Sequence, residues 1–498
     1  MAVFLGIDLG TSSVKLLLMS EEGKVIQTVS KDYPVYYPKP GWAEQNPEDW
    51  WQATKEGIKE IVEKSGTAGE KICSIGLSGQ MHGLVLLDQR DQVLMPALLW
   101  CDQRTYVECD YITEQLGKKL SEYTGNKALT GFTAPKVLWV KQNRPEVYEK
   151  IRHVLLPKDY IRFQLTGEYA TDVSDASGTL FFDVANRRWS PEMLQLLGLS
   201  EEVLPKCYES FQVTGKISEA AAYLTGLRAG SPVVGGGGDQ ACGAVGTGVV
   251  SAGIASVALG TSGVVFACQE HYSVDEQNRL HSFCHANGKW HVMGVMLSAA
   301  ACLKWWVEEA CQLGDDGFVT LLEEAERISA GSEGLLFLPY LMGERTPYSD
   351  PHARGAFIGL NMSHNRGHMT RAILEGVSFG LRDSLEITRE QKIPIIAVRV
   401  SGGGAKSILW RQILADILNL KVEIVNSVEG PAFGAAILAA VGADIFADVE
   451  EACNSMVQVV ASTQPNSVNV EKYDIMYQIY RGLYGTLKDT FQILHTTA

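Results

Sequence analysis

Apolar residues gather along this chain in short unbroken runs, separated by turn-forming residues. Val3 to Asp8 is such a run, Ser13 to Met19 a second and Val25 to Tyr33 a third, with Leu9-Gly10-Thr11-Ser12 and Glu21-Glu22-Gly23 between them. Runs of this length predict strands, and turns this tight join them as an antiparallel meander. The period then changes. After the proline-rich stretch from Pro34 to Gly41, Asn46-Pro47-Glu48-Asp49 supplies an N-cap, a proline at the first helical position and first-turn acids. Trp50, Trp51, Ala53, Ile58, Ile61 and Val62 follow at helical spacing and predict the inward face of a helix. Ile72 to Leu77 is the next strand. It runs into Ser78-Gly79-Gln80-Met81-His82-Gly83, whose polar residues and glycines suit a ligand-contacting loop.

Strand, turn, strand, turn, strand, helix, strand is the order of one half of an actin-like, ribonuclease-H-like α/β fold, which predicts a second copy. Ile254 to Leu259, the turn Gly260-Thr261-Ser262-Gly263 and Val264 to Cys268 supply it, and both turns share Leu-Gly-Thr-Ser. One Gly-Thr-Ser is a common hairpin turn. Two at the same point of a meander favour a clasp in which Thr11, Ser12, Gly260 and Thr261 offer N–H groups and hydroxyls to a polyphosphate. Asp8, at the end of its strand, either caps that turn or holds Mg²⁺ against bound phosphates. Lys15 is one of few cations nearby, and a strand lysine is usually solvated.

Between the copies, Pro232 to Val234 reads as the end of a buried strand, four glycines follow, and Asp239 opens a small-residue segment of helical character. Glycines let backbone pass close to a ligand, and a helix start points unpaired N–H groups outward. A carboxylate placed there can take the proton of a substrate hydroxyl as its oxygen attacks a phosphate. The plainer alternative is an N-cap beside a glycine loop, and caps outnumber catalytic bases.

Residues from about 100 to 230 read as mixed helices and loops, including Trp100-Cys101-Asp102-Gln103-Arg104, whose acid and arginine either order a polar pocket or pair with each other. Ser298 to Ala310 predicts a helix with Leu303, Trp306 and Val307 in the core, and Leu335 to Tyr340 a strand before the loop Gly343-Glu344-Arg345-Thr346-Pro347. Met369 to Thr388 is helical, Ile396 to Val400 a buried strand, and Ser401-Gly402-Gly403-Gly404-Ala405-Lys406-Ser407 a turn into a helix from Leu409 to Leu418. Ala405 stands where a P-loop requires glycine before Lys-Ser, so the turn is not one. It still suits a backbone shelf for an adenine or ribose at Gly402 and Gly403. Ala432 to Val441, begun by Gly430-Pro431, is a core helix. The stripe Tyr473, Met476, Tyr480, Leu483, Leu487, Phe491 and Leu494 packs on its own domain or makes a homodimer contact, packing being the expectation.

At 498 residues and 46% hydrophobic content the chain can bury two or three large cores. A net charge of −15 argues against nucleic acid or an anionic membrane as main partner, so an anionic ligand needs local help from N–H groups or a cation. The ten cysteines contain no C-x-x-C pair and read as reduced thiols of a cytoplasmic protein. The start of the chain lacks the basic n-region of a signal peptide. Ala241 to Gln269 carries no charge and is long enough to span a bilayer, but its six glycines predict a helix and two buried strands instead.

Two long patterns then carry a resemblance over essentially the whole chain. Gly131-Phe132-Thr133-Ala134-Pro135-Lys136-Val137-Leu138-Trp139 resembles the first signature of the FGGY carbohydrate kinases. Gly355-Ala356-Phe357-Ile358-Gly359-Leu360 with His368-Met369-Thr370-Arg371-Ala372-Ile373-Leu374-Glu375 resembles the second. Within the family, Gly79 to Gly83, Leu155-Leu156-Pro157-Lys158-Asp159-Tyr160, His281-Ser282-Phe283-Cys284-His285-Ala286 and Gly343 to Pro347 are similar to the branch acting on D-xylulose. Glycerol-directed members carry Arg-Glu where this chain has Met81-His82, which disfavours glycerol.

The resemblance implies two actin-like ATPase domains, residues 1–248 as the sugar lobe and 249–498 as the ATP lobe, with a cleft between them. It implies ATP, Mg²⁺ and a terminal sugar hydroxyl as reactants. Asp239 would be the base, Asp8 the acid on the metal side, and Gln80, Met81 and His82 the sugar loop together with Asp239. Thr11, Ser12, Gly260 and Thr261 would border the phosphates, and Gly402 and Gly403 the adenosine. Gln240 departs from the asparagine common after the base, which leaves that neighbour's contact open. Kinases for other ketoses or polyols share the same pattern, and an actin-like ATP switch is the rival from another class.

Overall fold

The computed structural model describes residues 2–314, 316–426 and 429–497. Strands β1 (Val3–Leu9), β2 (Ser13–Ser20) and β3 (Val25–Asp32) form the meander that the first three apolar runs predict. All of β1 is buried, as expected of a strand covered on both faces. Helix α1 (Pro47–Ser65) begins where its signals place it, the Asn46 side chain accepting from the Glu48 N–H at 3.2 Å. It lies on β2 and β3 and returns the chain to β4 (Ile72–Gly79), which runs parallel to β1. The mixed region then contributes α2 (Thr133–Asn143), α3 (Pro157–Thr166) and the single turn α4 (Val173–Ala176). Strands β5 (Val213–Lys216) and β6 (Pro232–Val234) complete a sheet of order β5-β6-β4-β1-β2-β3. Gly237 and Gly238 pair once more with β4 before α5 (Asp239–Gly246).

The second half repeats this plan. Strands β7 (Gly253–Leu259) and β8 (Gly263–Gln269) lead to an added edge strand, β9 (His281–Cys284), and to β10 (Trp290–Met296), which stands where β3 stands in the first half. Helix α6 (Ala300–Trp305) continues as a π-helical turn over Trp306–Ala310, so the segment predicted as one regular helix has two geometries. Next come α7 (Arg366–Glu390), β11 (Ile395–Ser401), α8 (Ile408–Leu418), β12 (Lys421–Val425), α9 (Gly430–Gly442), α10 (Val449–Met456), β13 (Val459–Thr463) and α11 (Ser467–Thr497). The second sheet runs β9-β10-β8-β7-β11-β12-β13, with β7–β11 and β11–β12 parallel, as β1–β4 and β4–β6 are. Both halves therefore carry the ribonuclease-H-like topology. Tyr473, Met476, Tyr480 and Phe491 of α11 are buried in the second half, while Leu494, predicted on the same stripe, is exposed. Among the described residues no helix is long and apolar enough to cross a membrane.

The halves are joined through α5 and α9. Ala244 of α5 packs with Val249 and with Phe266 of β8, whereas α9 lies on β1 and β4 of the first sheet. Glycines make that second contact possible. Gly6 and Gly76 sit opposite each other on β1 and β4, and a Cβ on either would come within 2.0 Å and 1.9 Å of the Ala432 and Ala435 carbonyl oxygens. Likewise, a Cβ on Gly246 would meet the Gly430 oxygen at 2.0 Å, and one on Gly434 the Cys242 oxygen at 1.9 Å. Helix α9 thus rests on backbone on two sides.

Gly434→Ala should consequently lower stability by about 1–3 kcal/mol, read as a lower urea midpoint. Gly482→Ala is the contrast: the site is exposed on α11 with open space around it, and the change should stabilise by up to about 1 kcal/mol. Equal midpoints for the two variants would mean that α9 can lift off the first sheet at no cost.

Candidate active site

The register of the first sheet assembles an acidic centre. Asp8 of β1 pairs with Ser78 of β4, and Ser78 pairs with Gly237, two residues before Asp239. Gly236, at φ 68°, makes the bend that this requires: a Cβ there would lie 1.9 Å from the Leu77 oxygen. Asp239 is the first residue of α5, behind an N-cap at Gly238, so its carboxylate does not cap the helix. The side chain is half-buried. Burial first, and the negative charge of Asp8 second, push its pKa up to about 7, which Gln240 opposes. Asp8 is raised to about 6, again mainly by burial, with Ser78 and Lys15 pulling the other way. Lys15 itself is paired with Glu429 of the second half at 3.0 Å. Oδ1 of Asp8 is buried without a hydrogen-bond partner.

That orphaned oxygen and the neighbouring Asp239 form a hard donor set of two carboxylates. No group of three or more His, Cys, Asp or Glu able to hold a metal occurs among the described residues. Two carboxylates suit Mg²⁺, which keeps several waters and is commonly shared with substrate phosphates, and they do not suit a structural zinc.

The loop after β4 closes over the same point. Met81 is buried against Gly238, where an added Cβ would meet its Cγ and Sδ at 2.8 Å. His82 adopts φ 69°, and its carbonyl accepts from Thr133 Oγ1 at 3.1 Å and from Lys136 Nζ at 3.0 Å. Lys136 is fully buried in α2, and burial lowers its pKa to about 7. The His82 Nδ1 lies 2.6 Å from the Gly178 oxygen and must donate to it, which makes Nε2 an acceptor. Burial holds the ring neutral, with a pKa near about 3. A cavity of about 50 Å³ adjoins this ring, walled by Trp100, Phe132, His281, Met293 and Arg345. Gln80, predicted as a sugar contact, donates its amide to Gln45 Oε1 at 2.9 Å, and its own Oε1 is buried and without a hydrogen-bond partner among the described residues.

Thr11 is linked to this group by Trp100, whose Nε1 donates to Thr11 Oγ1 at 3.0 Å, and Gln80 N–H bonds the Leu9 carbonyl at 2.8 Å. Ser12 is exposed in the same turn. Gly260, Thr261, Gly402 and Gly403 form a separate group. Gly402, at φ 87°, has room for no Cβ beyond 2.5 Å from the Leu259 oxygen, so the turn after β11 presses on the turn after β7. Beside them opens a cavity of about 940 Å³, lined by Thr261, Gly403, Ala300, Lys304, Trp305 and Trp410 among others. No hydrogen bond joins this group to the acidic centre among the described residues. A larger cavity, about 1030 Å³, lies between residues 206–213 and 441–451 and contains none of the predicted site residues.

Sequence reasoning singled out the stretches holding Trp100, Phe132, His281 and Arg345 without giving those side chains a place in a site. The spacing of His281 and Phe283 carried a signal, since i and i+2 of a strand share a face, and their rings stack at 5.6 Å. Asp102 and Arg104 resolve to the simpler of their two readings, a buried pair at 2.7 Å.

Two family models match the chain: the N-terminal domain of the FGGY family of carbohydrate kinases over residues 3–246 and the C-terminal domain of that family over residues 255–443. A xylulose kinase of Bacillus subtilis (strain 168) is 42% identical over 490 residues, covering 98% of each chain. The crystal structure of a xylulose kinase from Rhodospirillum rubrum superposes with a TM-score of 0.92 at 29% identity, covering 98% of this chain and 100% of the other. That of a gluconate kinase from Lactobacillus acidophilus gives 0.94 at 26% identity, covering 99% of both.

The acidic centre carries a pH signature. A carboxyl whose pKa is raised on folding stabilises the fold most below its unfolded value and loses that contribution as pH climbs through its folded value. For Asp239 the window runs from its ordinary 3.8 to about 7. Asp239→Asn should match the parent's melting temperature near pH 4 and exceed it by pH 8. A variant less stable than the parent at pH 8 would show that the charged carboxylate is favoured in place.

Proposed function

The chain belongs to the FGGY family of carbohydrate kinases, and within it we propose that it transfers the γ-phosphoryl group of ATP to the terminal hydroxyl of D-xylulose, giving D-xylulose 5-phosphate. The observation that carries this reading is a carboxylate with a pKa of about 7 at the start of α5, flanked by Asp8 and by the Met81–His82 loop. Relatives named xylulose kinase over nearly the full length support the choice of sugar. We divide the chain near residue 248 into a sugar lobe and an ATP lobe.

Asp239 acts as the general base. With its pKa near neutrality it is substantially ionised at working pH and basic enough to accept the hydroxyl proton as the oxygen attacks. His82 stays neutral and accepts a sugar hydroxyl at Nε2, while Lys136 and Thr133 hold its backbone in the left-handed conformation. Met81 supplies an apolar wall. Thr11 and Ser12 on one side and Gly260 and Thr261 on the other border the phosphates, with Gly402 and Gly403 under the adenosine in the 940 Å³ cavity. Asp8 would hold Mg²⁺, and the ion would supply neutralisation of phosphate charge. Transfer of this kind depends chiefly on alignment and charge neutralisation, so the residues that position the reactants matter as much as the base. Cysteines without a disulfide among the described residues suit the reducing cytoplasm.

ADP release coupled to a panel of D-xylulose, D-ribulose, gluconate and glycerol tests the assignment. D-Xylulose should give the highest kcat/KM, and preference for another member would move the chain within the family. ATP hydrolysis indifferent to every sugar would favour a nucleotide switch. Asp239→Asn should lower kcat by about 10²–10⁴. His82→Ala should raise KM for the sugar by about tenfold and change kcat less; a loss in kcat alone would remove His82 from sugar binding.

A further inference from the structure

The loop that delivers Asp239 is held from beneath by charged groups with no exposure to water. Lys158 of α3 lies 2.7 Å from Asp159, 2.8 Å from Asp172 and 3.2 Å from Asp175, all with fully buried side chains. Arg162, one turn further along α3, binds Asp159 at 2.9 Å and also donates to the Gly235 carbonyl, at the start of the glycine loop. A buried ionic cluster is poor evidence for stability, since well-packed apolar residues do as well. Its position therefore asks for another account.

Asp172 supplies one. Its Oδ2 caps α4, accepting from the Ser174 N–H at 2.8 Å, and it also accepts from the hydroxyls of Ser174 at 2.5 Å and Ser210 at 2.8 Å. A serine hydroxyl has one proton to give. Because Ser174 gives its proton to Asp172, its lone pairs are left to face the Gly238 N–H, which donates to Oγ at 3.2 Å. Gly238 is the residue immediately before Asp239. The same short segment holds the sugar loop, through the Gly178 carbonyl on His82 Nδ1 at 2.6 Å, and it meets β9 of the other half, where the Cys284 N–H donates to Ser177 Oγ at 3.0 Å.

Resting on the kinase reading, we infer that Ser174, oriented by the Lys158–Asp172 pair, is a positioning residue that fixes Asp239 against the sugar through the Gly238 N–H. The 172–179 segment is then the shared support of base and sugar loop. Its charges are there to fix the direction of one hydroxyl.

Ser174→Ala removes the acceptor and leaves α3 and its charges in place. With D-xylulose and ATP it should lower kcat by about 10- to 100-fold, as a misplaced reacting group does, with KM for ATP within about twofold of the parent. Thr225→Val is the control: this buried hydroxyl of the first half lies outside the segment, donating to the Ala221 carbonyl and accepting from the Leu227 N–H, and its kcat should stay within about twofold of the parent. Hydrogen exchange without substrate gives a second readout, with faster exchange of the amides from Gly235 to Gln240 in Ser174→Ala and not in Thr225→Val. Unchanged protection, or equal losses of kcat in the two variants, overturns the inference. Should the parent turn over no sugar at all, the kinase reading fails while the exchange rates still decide whether Ser174 holds the loop.

Discussion

Two carboxylates close together in a poorly hydrated place each resist ionisation, and the region around residues 8 and 239 is built around that conflict. Burial raises both acids, and each charge raises the other's cost. Such a pair relaxes by moving apart or by admitting solvent unless the backbone forbids it. Here Asp8 is held in the register of β1 and β4, and Asp239 is held at the joint of a glycine strand and a helix whose opposite face rests on α9. Neither carboxylate can retreat without dismantling a sheet or a helix contact.

The loop after β4 shows the same economy by other means. His82 is made neutral by its surroundings, so its ring presents one donor and one acceptor and no charge. Lys136 is a cation spent entirely on two backbone carbonyls, those of His82 and Gly131. Around the ring, Phe132, His281 and Phe283 meet at right angles or in stacks and leave little room to tilt. Two of these rings come from β9, so the second half completes the wall of a pocket that begins in the first.

Much of this was legible in the sequence because its signals are local. Unbroken apolar runs punctuated by Gly-Thr-Ser give the twin meanders, and a strand end followed by four glycines and an acid gives Asp239. What went unread around the site is contacts between distant positions. Nothing near Ser174 says that its partner is Gly238, 64 residues away, and nothing near Trp100 points to Thr11, 89 residues away. Gln80, just past the end of β4, donates its amide to Gln45, 35 residues away. Helix α9 reads correctly as core, but an element apolar all round carries no face by which to name the sheet it covers. The signal that would have named it lies in the sheet itself: Gly6 and Gly76, glycines in the middle of strands that gain nothing from flexibility.

Those glycines bear on how the halves can move. Helices that interlock side chains settle into a few preferred crossing angles, because ridges must leave their grooves before the angle can change. Where α9 crosses α5 and the first sheet at Gly6, Gly76, Gly246 and Gly434, backbone meets backbone, and there are no ridges to disengage. The joint resists separation at these points through close contact and desolvated surface, while Phe433, Ile437 and Leu438 of the same helix are buried with Phe4, Leu17 and Met19.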